Sequence, residues 1–243
     1  MLEETFYIDG IDARSIGLRL QKPMTFSEPV PIVEKETVPG RNGELVYETG
    51  AYKNRTAKAT CYCIDTDDVE MKIRAVNKFL FSKSGYRRLE TSDDPYHFWL
   101  ARVSSGARLE QRLRRLAPFN IVFDCKPQRF LKNGEIETTF SVSEMEEGAY
   151  IYNQTGFNSK PLIHVSNSGA GTLKIGKYTV EIADSGFSPI FLDCETQNAY
   201  SAYKNLNMYV KSSEFPVLIP GENKITVDGN LGLVTIIPRW WEL

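Results

Sequence analysis

Two-residue alternation of apolar side chains is the feature that most constrains the fold of this chain. One run keeps large apolar residues at every second position: Phe119, Ile121, Phe123 and Cys125. A second run keeps small residues at every second position: Ala57, Ala59, Cys61 and Cys63. Successive side chains of a strand point to opposite faces, so each run predicts a strand with one buried face. An aromatic content of 12% also favours strands.

One segment of the first half has the periodicity of a helix. Its apolar residues share one stripe at helical spacing: Val69, Ile73, Val76 and Leu80. Asp67 is the predicted N-cap, with Glu70 as its capping-box partner, and Gly85 suits the end of the helix. This predicts an α+β first domain in which one helix packs on antiparallel sheets.

The second half is predicted to be all β. Short strands are separated by turns rich in Gly, Asn and Pro, and the last strand is expected at Leu231–Ile237. The Ser166–Gly171 segment is interpreted as a turn, and Pro127 as the end of the preceding strand. This pattern is typical of a β-sandwich or jelly roll. We therefore predict a mainly β protein with domains at 1–136 and 137–243.

The residues that usually carry catalysis or bind metals are few. Four cysteines lack any C-x-x-C pair, and His97 and His164 both lie in strand-like runs, without a nucleophile elbow nearby. The Gly171–Lys177 segment matches a P-loop pattern, but Tyr178 replaces the required Ser or Thr and the context is a hairpin. We expect no catalytic site, no metal and no cofactor.

Two features keep other functions open. Asp193 and Glu195 lie two apart on a predicted strand, so both face one side, as a glycan-cleaving pair would require; solvated carboxylates are the alternative. Trp240 and Trp241 are adjacent, so one ring is expected in the core and the other on a partner or saccharide face. A saccharide-binding accessory module is thus a second hypothesis, and a glycan-cleaving enzyme a third.

Charge and hydropathy exclude other classes. The net charge is −2, so sequence-specific nucleic-acid binding is not expected. The spacing in the basic cluster Arg108–Leu116 fits either a strand or a helix, and we interpret the cluster as a solvated face or a subunit contact. No apolar run is long enough for a membrane span. The acidic start lacks the apolar region of a signal peptide, so we expect synthesis in the cytoplasm.

Several strings, taken in their order along the chain, resemble those of siphophage distal tail (Dit) proteins. In the first half these are Val38–Gly43, Tyr52–Arg55 and Phe119–Pro127. The second half adds four more: Asn153–Ile163, Asp193–Tyr200, Phe215–Asn223 and Ile237–Leu243. The resemblance covers nearly the whole chain.

The resemblance implies a structural, non-enzymatic hub at the tail tip of the virion, assembled in the host cytoplasm. Such proteins form rings, usually hexameric, between the tail-tube protein and the tail-tip or baseplate hub protein, and a receptor-binding protein is a further partner. The first domain builds the ring and resembles tail-tube subunits. The second is a peripheral galectin-like or carbohydrate-module-like sandwich.

Candidate contact residues between subunits follow from the glycine-rich loop and the polar stretch after it. An extended hairpin there would reach an adjacent subunit, although an ordinary surface turn explains the same pattern. The residues concerned are Pro39, Gly40, Arg41, Asn42, Gly43, Lys53, Asn54 and Arg55.

Overall fold

The structure is a computed structural model that describes residues 4–63, 68–104, 118–202 and 204–243. The chain divides into two compact units, Met1–Arg129 with Leu243, and Phe130–Glu242. The boundary predicted at residues 136 and 137 lies slightly further along the chain. The predicted Arg108–Leu116 cluster lies outside the described residues. None of the helices within these ranges combines the length and the apolar character needed to cross a membrane.

In the part of the first unit that the structure describes, strands and a long hairpin accompany one α-helix. Its elements are β1 (Phe6–Ile8), β2 (Ile11–Asp12), β3 (Leu18–Leu20), β4 (Thr25–Phe26), β5 (Pro31–Thr37), β6 (Glu44–Tyr52), β7 (Arg55–Cys63), α1 (Val69–Phe81), β8 (Arg87–Thr91), β9 (His97–Val103) and β10 (Phe119–Leu131), the last of which spans the boundary.

The core of the first unit lies on one face of an antiparallel sheet. The strand order is β2-β1-β8-β9-β10-β7-β3, with β4 also paired to β7. The small residues of β7 lie directly opposite the large ones of β10, with Ala59 facing Ile121 and Ala57 facing Phe123. Both alternating sets predicted from the sequence are buried. Small residues opposite large ones let the sheet face fill without voids.

Helix α1 buries the predicted stripe against this sheet. Ile73, Val76 and Leu80 are buried, and Val69 is partly buried against the same core. Asp67, the predicted cap, lies outside the described residues. The observed N-cap is Asp68, whose side chain accepts a hydrogen bond of 2.8 Å from the backbone N–H of Met71. The cap satisfies one of the donors that the first turn leaves unpaired.

Strand β10 continues past Pro127, contrary to the sequence prediction. Its pairing with β7 ends at Cys125. Pro127 therefore lies where that ladder requires no backbone donor, and the extended backbone that proline favours is retained.

The second unit is built around two unusually long strands. Its elements are β11 (Thr138–Phe140), α2 (Val142–Glu147), β12 (Tyr150–Asn153), β13 (Leu162–Ile175), β14 (Tyr178–Ile182), β15 (Ile190–Asp193), β16 (Asn198–Ser201), β17 (Lys204–Asn205), β18 (Val210–Lys211), β19 (Gly221–Ile237) and β20 (Trp241–Glu242).

Strands β13 and β19 pair along most of their length and exchange neighbours at their two ends. The early part of β13 pairs with β15, and its late part pairs with β14. Register shifts separate Val165, Asn167 and Gly171. Such bulges bend and twist a sheet, so that these long strands enclose one core.

Two expectations for this unit are corrected. The Ser166–Gly171 segment is an irregular part of β13 rather than a turn, because β13 pairs with β19 on both sides of its register shifts. Glycine is required at position 171, where a Cβ would lie 2.5 Å from the carbonyl oxygen of Asp228 on the paired strand. The half is also not all β. Helix α2 is fixed by a complete capping box between Ser141 and Glu144, and is too short to show periodicity in the sequence.

Candidate functional site

The long hairpin, defined as Pro31–Tyr52, forms a separate two-stranded sheet in the first unit. Strands β5 and β6 pair with each other and with no other described strand. Most of its side chains are exposed, including Val46 and Tyr47 at 54% each. A two-stranded hairpin alone is only marginally stable in water, so a hairpin with exposed apolar residues is suited to meet another surface.

The tip of the hairpin contains five of the predicted contact residues. The backbone N–H of Arg41 donates to the carbonyl of Val38 at 3.1 Å, and Gly40 has φ of +83°. Pro39 therefore takes the second position, and Gly40 the third, of a type II turn. Asn42 and Gly43 complete the turn before β6 begins.

The other three predicted residues lie at the base of the hairpin and hold it in place. The Lys53 N–H donates to the carbonyl of Val30 at 2.8 Å, and Arg55 Nε donates to the carbonyl of Ser27 at 2.8 Å. Asn54 Nδ2 donates to Tyr86 Oη at 2.7 Å and to Asp124 Oδ1 at 2.9 Å. The predicted residues thus form two groups, at opposite ends of strands that are about 25 to 30 Å long.

Arg102 completes the polar cluster at the base. Its Nε donates to Asp124 Oδ2 at 2.8 Å. Partial burial opposes ionisation of Asp124, but the hydrogen bonds from Arg102 and Asn54 outweigh it and lower the pKa of this carboxyl. A charged carboxylate therefore links the hairpin base to the sheet at neutral pH.

A cavity of about 290 Å³ lies beside this base, at the C-terminal end of α1. Buried apolar side chains form its floor, among them Ile8, Leu89 and Phe123. Three cations also line it: Lys83, Arg87 and Arg102. Sequence reasoning missed this cavity, because its lining comes from five separate segments and none of them carries a motif.

Two of the cavity's cations share one carboxylate. Lys83 Nζ and Arg87 Nε each lie 3.0 Å from Asp9 Oδ2. Arg87 also donates to the carbonyl of Phe79 at 2.7 Å, so it caps the end of α1. Desolvation opposes ionisation of Asp9, yet its bonds to Lys83 and Arg87 lower its pKa.

The two adjacent tryptophans have different environments. Trp240 is 6% exposed and belongs to the core of the second unit. Trp241 is half-buried, stacks on Phe157 with ring centroids 4.5 Å apart, and donates from Nε1 to the carbonyl of Asn158 at 2.9 Å. Of the two residues, Trp241 is the more exposed to solvent.

The Asp193 and Glu195 carboxylates have separate partners. Arg239 Nη1 donates to Asp193 Oδ1 at 2.7 Å, whereas Glu195 lies 3.5 Å from Lys160 Nζ. Burial opposes ionisation of Asp193, but Arg239 overcomes this effect and lowers its pKa. A general acid needs a raised pKa, so the lowered pKa of Asp193 does not fit the acid role in such a pair.

The cysteines are all buried as thiols. Burial raises the pKa of Cys61, Cys125 and Cys194 to about 12 in each case. Within the described residues, no group of three His, Cys, Asp or Glu side chains is arranged to hold a metal ion.

Comparison with known proteins finds a match for most of the first unit. A family model described as the phage tail protein RIFT-related domain matches residues 11–125. Residues 11–125 therefore resemble a phage tail domain. This domain includes the long hairpin, its polar base and most of the cavity lining.

The fold of the whole chain, including residues 11–125, is similar to a solved structure. The SPP1 Dit protein (gp 19.1), described as a paradigm of the hub adsorption apparatus in phages that infect Gram-positive bacteria, aligns with a TM-score of 0.71 at 13% identity, over 99% of each chain. No curated protein sequence matches the chain. The predicted resemblance to distal tail proteins and the predicted mainly β fold are confirmed.

Proposed function

We propose that this chain is the structural hub of a phage tail tip. In this role copies of the chain form a ring, of six subunits as in the family it resembles, between the tail-tube protein and the tail-tip or baseplate hub protein. The ring sits in the virion and has a structural rather than an enzymatic role. A receptor-binding protein is the further partner.

The long hairpin is the observation that carries this proposal. It extends from the sheet without a core of its own, and the Asn54 and Arg55 contacts fix its base. A projecting element that contacts a different surface of the next copy gives a head-to-tail interface, and such an interface closes into a ring when its rotation allows. The whole-chain likeness to a hub protein supports the same role.

The test is the mass and shape of the purified full-length chain. Light scattering coupled to size exclusion across a concentration series should reveal a species with about six times the mass of the 27.6 kDa chain. Negative-stain images of that species should show a ring with an open centre. A monomer at every concentration, which also fails to form rings with the neighbouring tail proteins, would contradict the proposal.

A matched pair of variants links the ring to the hairpin. Replacing residues 33–48 by a short Gly-Asn turn removes the exposed strands and keeps the base cluster. We expect this variant to unfold at the same temperature as the parent chain and to remain monomeric. The control, Met71→Ala, changes a side chain on α1 that is 66% exposed and should leave the oligomer unchanged.

A further inference from the structure

The two faces of the long hairpin differ in charge. Directly paired residues of antiparallel strands share a face, and Glu34 pairs with Tyr47 while Glu36 pairs with Leu45. This acidic face, defined as Glu34, Glu36, Leu45 and Tyr47, contains two carboxylates and no cation. The opposite face also has two carboxylates, Glu44 and Glu48, but it includes the cation Lys35, which forms an ion pair with Glu44 at 3.1 Å.

The cavity beside α1 is complementary to the acidic face, because it combines an apolar floor with an excess of cations. Its floor is apolar, and its three lining cations outnumber the two carboxylates that contact them, Asp9 and Asp124. Lys83 and Arg102 remain 66% and 60% exposed, so both can take a further partner. A cavity of about 290 Å³ lies at the lower end of the range of ligand pockets, which is room enough for one side chain.

The hairpin of the same chain cannot fill this cavity. Asn54 binds Tyr86, and Tyr86 follows Gly85, which lines the cavity, so the cavity lies at the base of the hairpin. Tyr47 is five residues beyond Tyr52, or roughly 17 Å along an extended strand that leads away from the base. A hairpin that fills this cavity therefore has to come from another molecule.

We infer that the cavity beside α1 receives the acidic face of the long hairpin from a second copy of this chain. Tyr47 enters the apolar floor, and Glu34 and Glu36 meet Lys83 and Arg102 at the opening. This inference rests on the proposed ring and specifies its interface: each copy inserts its hairpin into one neighbour and accepts the hairpin of the other.

Cysteine cross-linking tests the contact. The variant Tyr47→Cys with Phe81→Cys places one thiol on the acidic face and one at the cavity, where Phe81 is 48% exposed. The native thiols are buried and do not compete. Under mild oxidation we expect a ladder of disulfide-linked multimers on non-reducing gels.

Two control variants also carry a pair of cysteines, but in each of them one cysteine is moved away from the predicted contact. Val46→Cys with Phe81→Cys moves the first thiol to the opposite face of the same strand. Tyr47→Cys with Met71→Cys moves the second thiol to the start of α1. We expect each control to cross-link at least tenfold more slowly than the Tyr47 and Phe81 pair. Equal rates in all three variants would overturn the inference.

Charge reversal provides a second measurement that does not depend on oxidation. Glu34→Lys with Glu36→Lys, and separately Lys83→Glu, should each weaken self-association at least tenfold in sedimentation velocity. Combining them restores opposite charges across the contact and should recover most of the loss. Failure of the combination to recover any association would count against the inference.

The outcomes separate the inference from the proposed function. If the parent chain forms rings that need the hairpin, but neither the cross-link nor the charge rescue is seen, the hairpin docks elsewhere and only the inference fails. If removal of the hairpin leaves the rings intact, the inference fails and the ring itself stands. If no rings form, alone or with any tail partner, the proposed function fails.

Discussion

Asp193→Asn tests whether the most enzyme-like pair of the chain is structural. Asp193 accepts a 2.7 Å hydrogen bond from Arg239, which directly precedes the buried Trp240. The side chains of Asp193 and Arg239 are 16% and 31% exposed. A charge-assisted hydrogen bond contributes about 1.5 to 3 kcal/mol, and screening at this exposure reduces it to about 1 kcal/mol.

The expected result is a lower unfolding temperature at neutral pH. A loss of about 1 kcal/mol corresponds to a decrease of roughly 3 to 6 °C for a domain of this size. Glu195→Gln is the matched control, because Glu195 and Lys160 are 48% and 49% exposed and lie 3.5 Å apart. A solvent-exposed pair of this kind contributes little, so the control should melt within about 1 °C of the parent chain.

The pH dependence has a defined sign. Arg239 lowers the pKa of Asp193 below its usual value of 3.8, so the folded state favours the ionised carboxylate. The stability from this pair is fully present above the unfolded pKa and is lost as the pH falls through the folded pKa. The difference in unfolding temperature between Asp193→Asn and the parent chain should therefore persist at pH 5 and shrink below about pH 4.

The assay is differential scanning calorimetry on the full chain at several pH values, together with hydrolysis tests on cell-wall polysaccharides. Equal unfolding temperatures for Asp193→Asn and the parent chain would refute the structural interpretation. So would a polysaccharide-cleaving activity of the parent chain that the Asp193→Asn substitution abolishes.

Three further predictions concern the hairpin base, a bulge and the thiols. Asn54→Ala removes two hydrogen bonds and should destabilise the first unit by about 1 kcal/mol. The measurement is amide hydrogen exchange, which should become faster in β5 and β6; unchanged exchange would mean that Asn54 does not hold the hairpin base. Gly171→Ala places a methyl group 2.5 Å from the Asp228 carbonyl and should lower the thermal stability of the second unit by roughly 1 to 3 kcal/mol; a neutral result would contradict the close packing of β13 on β19. Cys194, with a pKa of about 12, should react with a thiol reagent at pH 8 only after denaturant is added, and rapid labelling of the native chain would contradict its burial.

Local side-chain patterns allowed much of the fold to be predicted from the sequence. The alternating residues of β7 and β10 and the stripe of α1 are buried as expected, because periodicity depends only on neighbouring residues. The failures concern interactions between distant segments. Pro127 and Gly171 belong to residue types that often form turns. The partner strand decides whether Pro127 must donate a backbone hydrogen bond, and whether Gly171 has room for a Cβ.

The candidate site was predictable only where one stretch of sequence contains it. The turn at Pro39 and Gly40 depends on four consecutive residues, and its chemistry is visible in the sequence. The cavity forms only when β1, the end of α1, β8, β9 and β10 come together. The sequence of any one of these segments does not indicate which other segments lie beside it. Sequence alone thus indicated the projecting element but not the surface suited to receive it.

The polar cluster at the hairpin base explains how a hairpin without a core of its own can dock in one defined direction. An isolated pair of strands would change direction freely and would lose conformational entropy on docking. Asn54, Arg55 and Asp124 fix the base through side-chain hydrogen bonds before any partner arrives. Part of the conformational entropy of the hairpin is therefore already lost within each subunit, before docking. A modest contact area is then enough to close a ring. The exposed apolar residues of the strands supply that contact, while the polar base sets its direction.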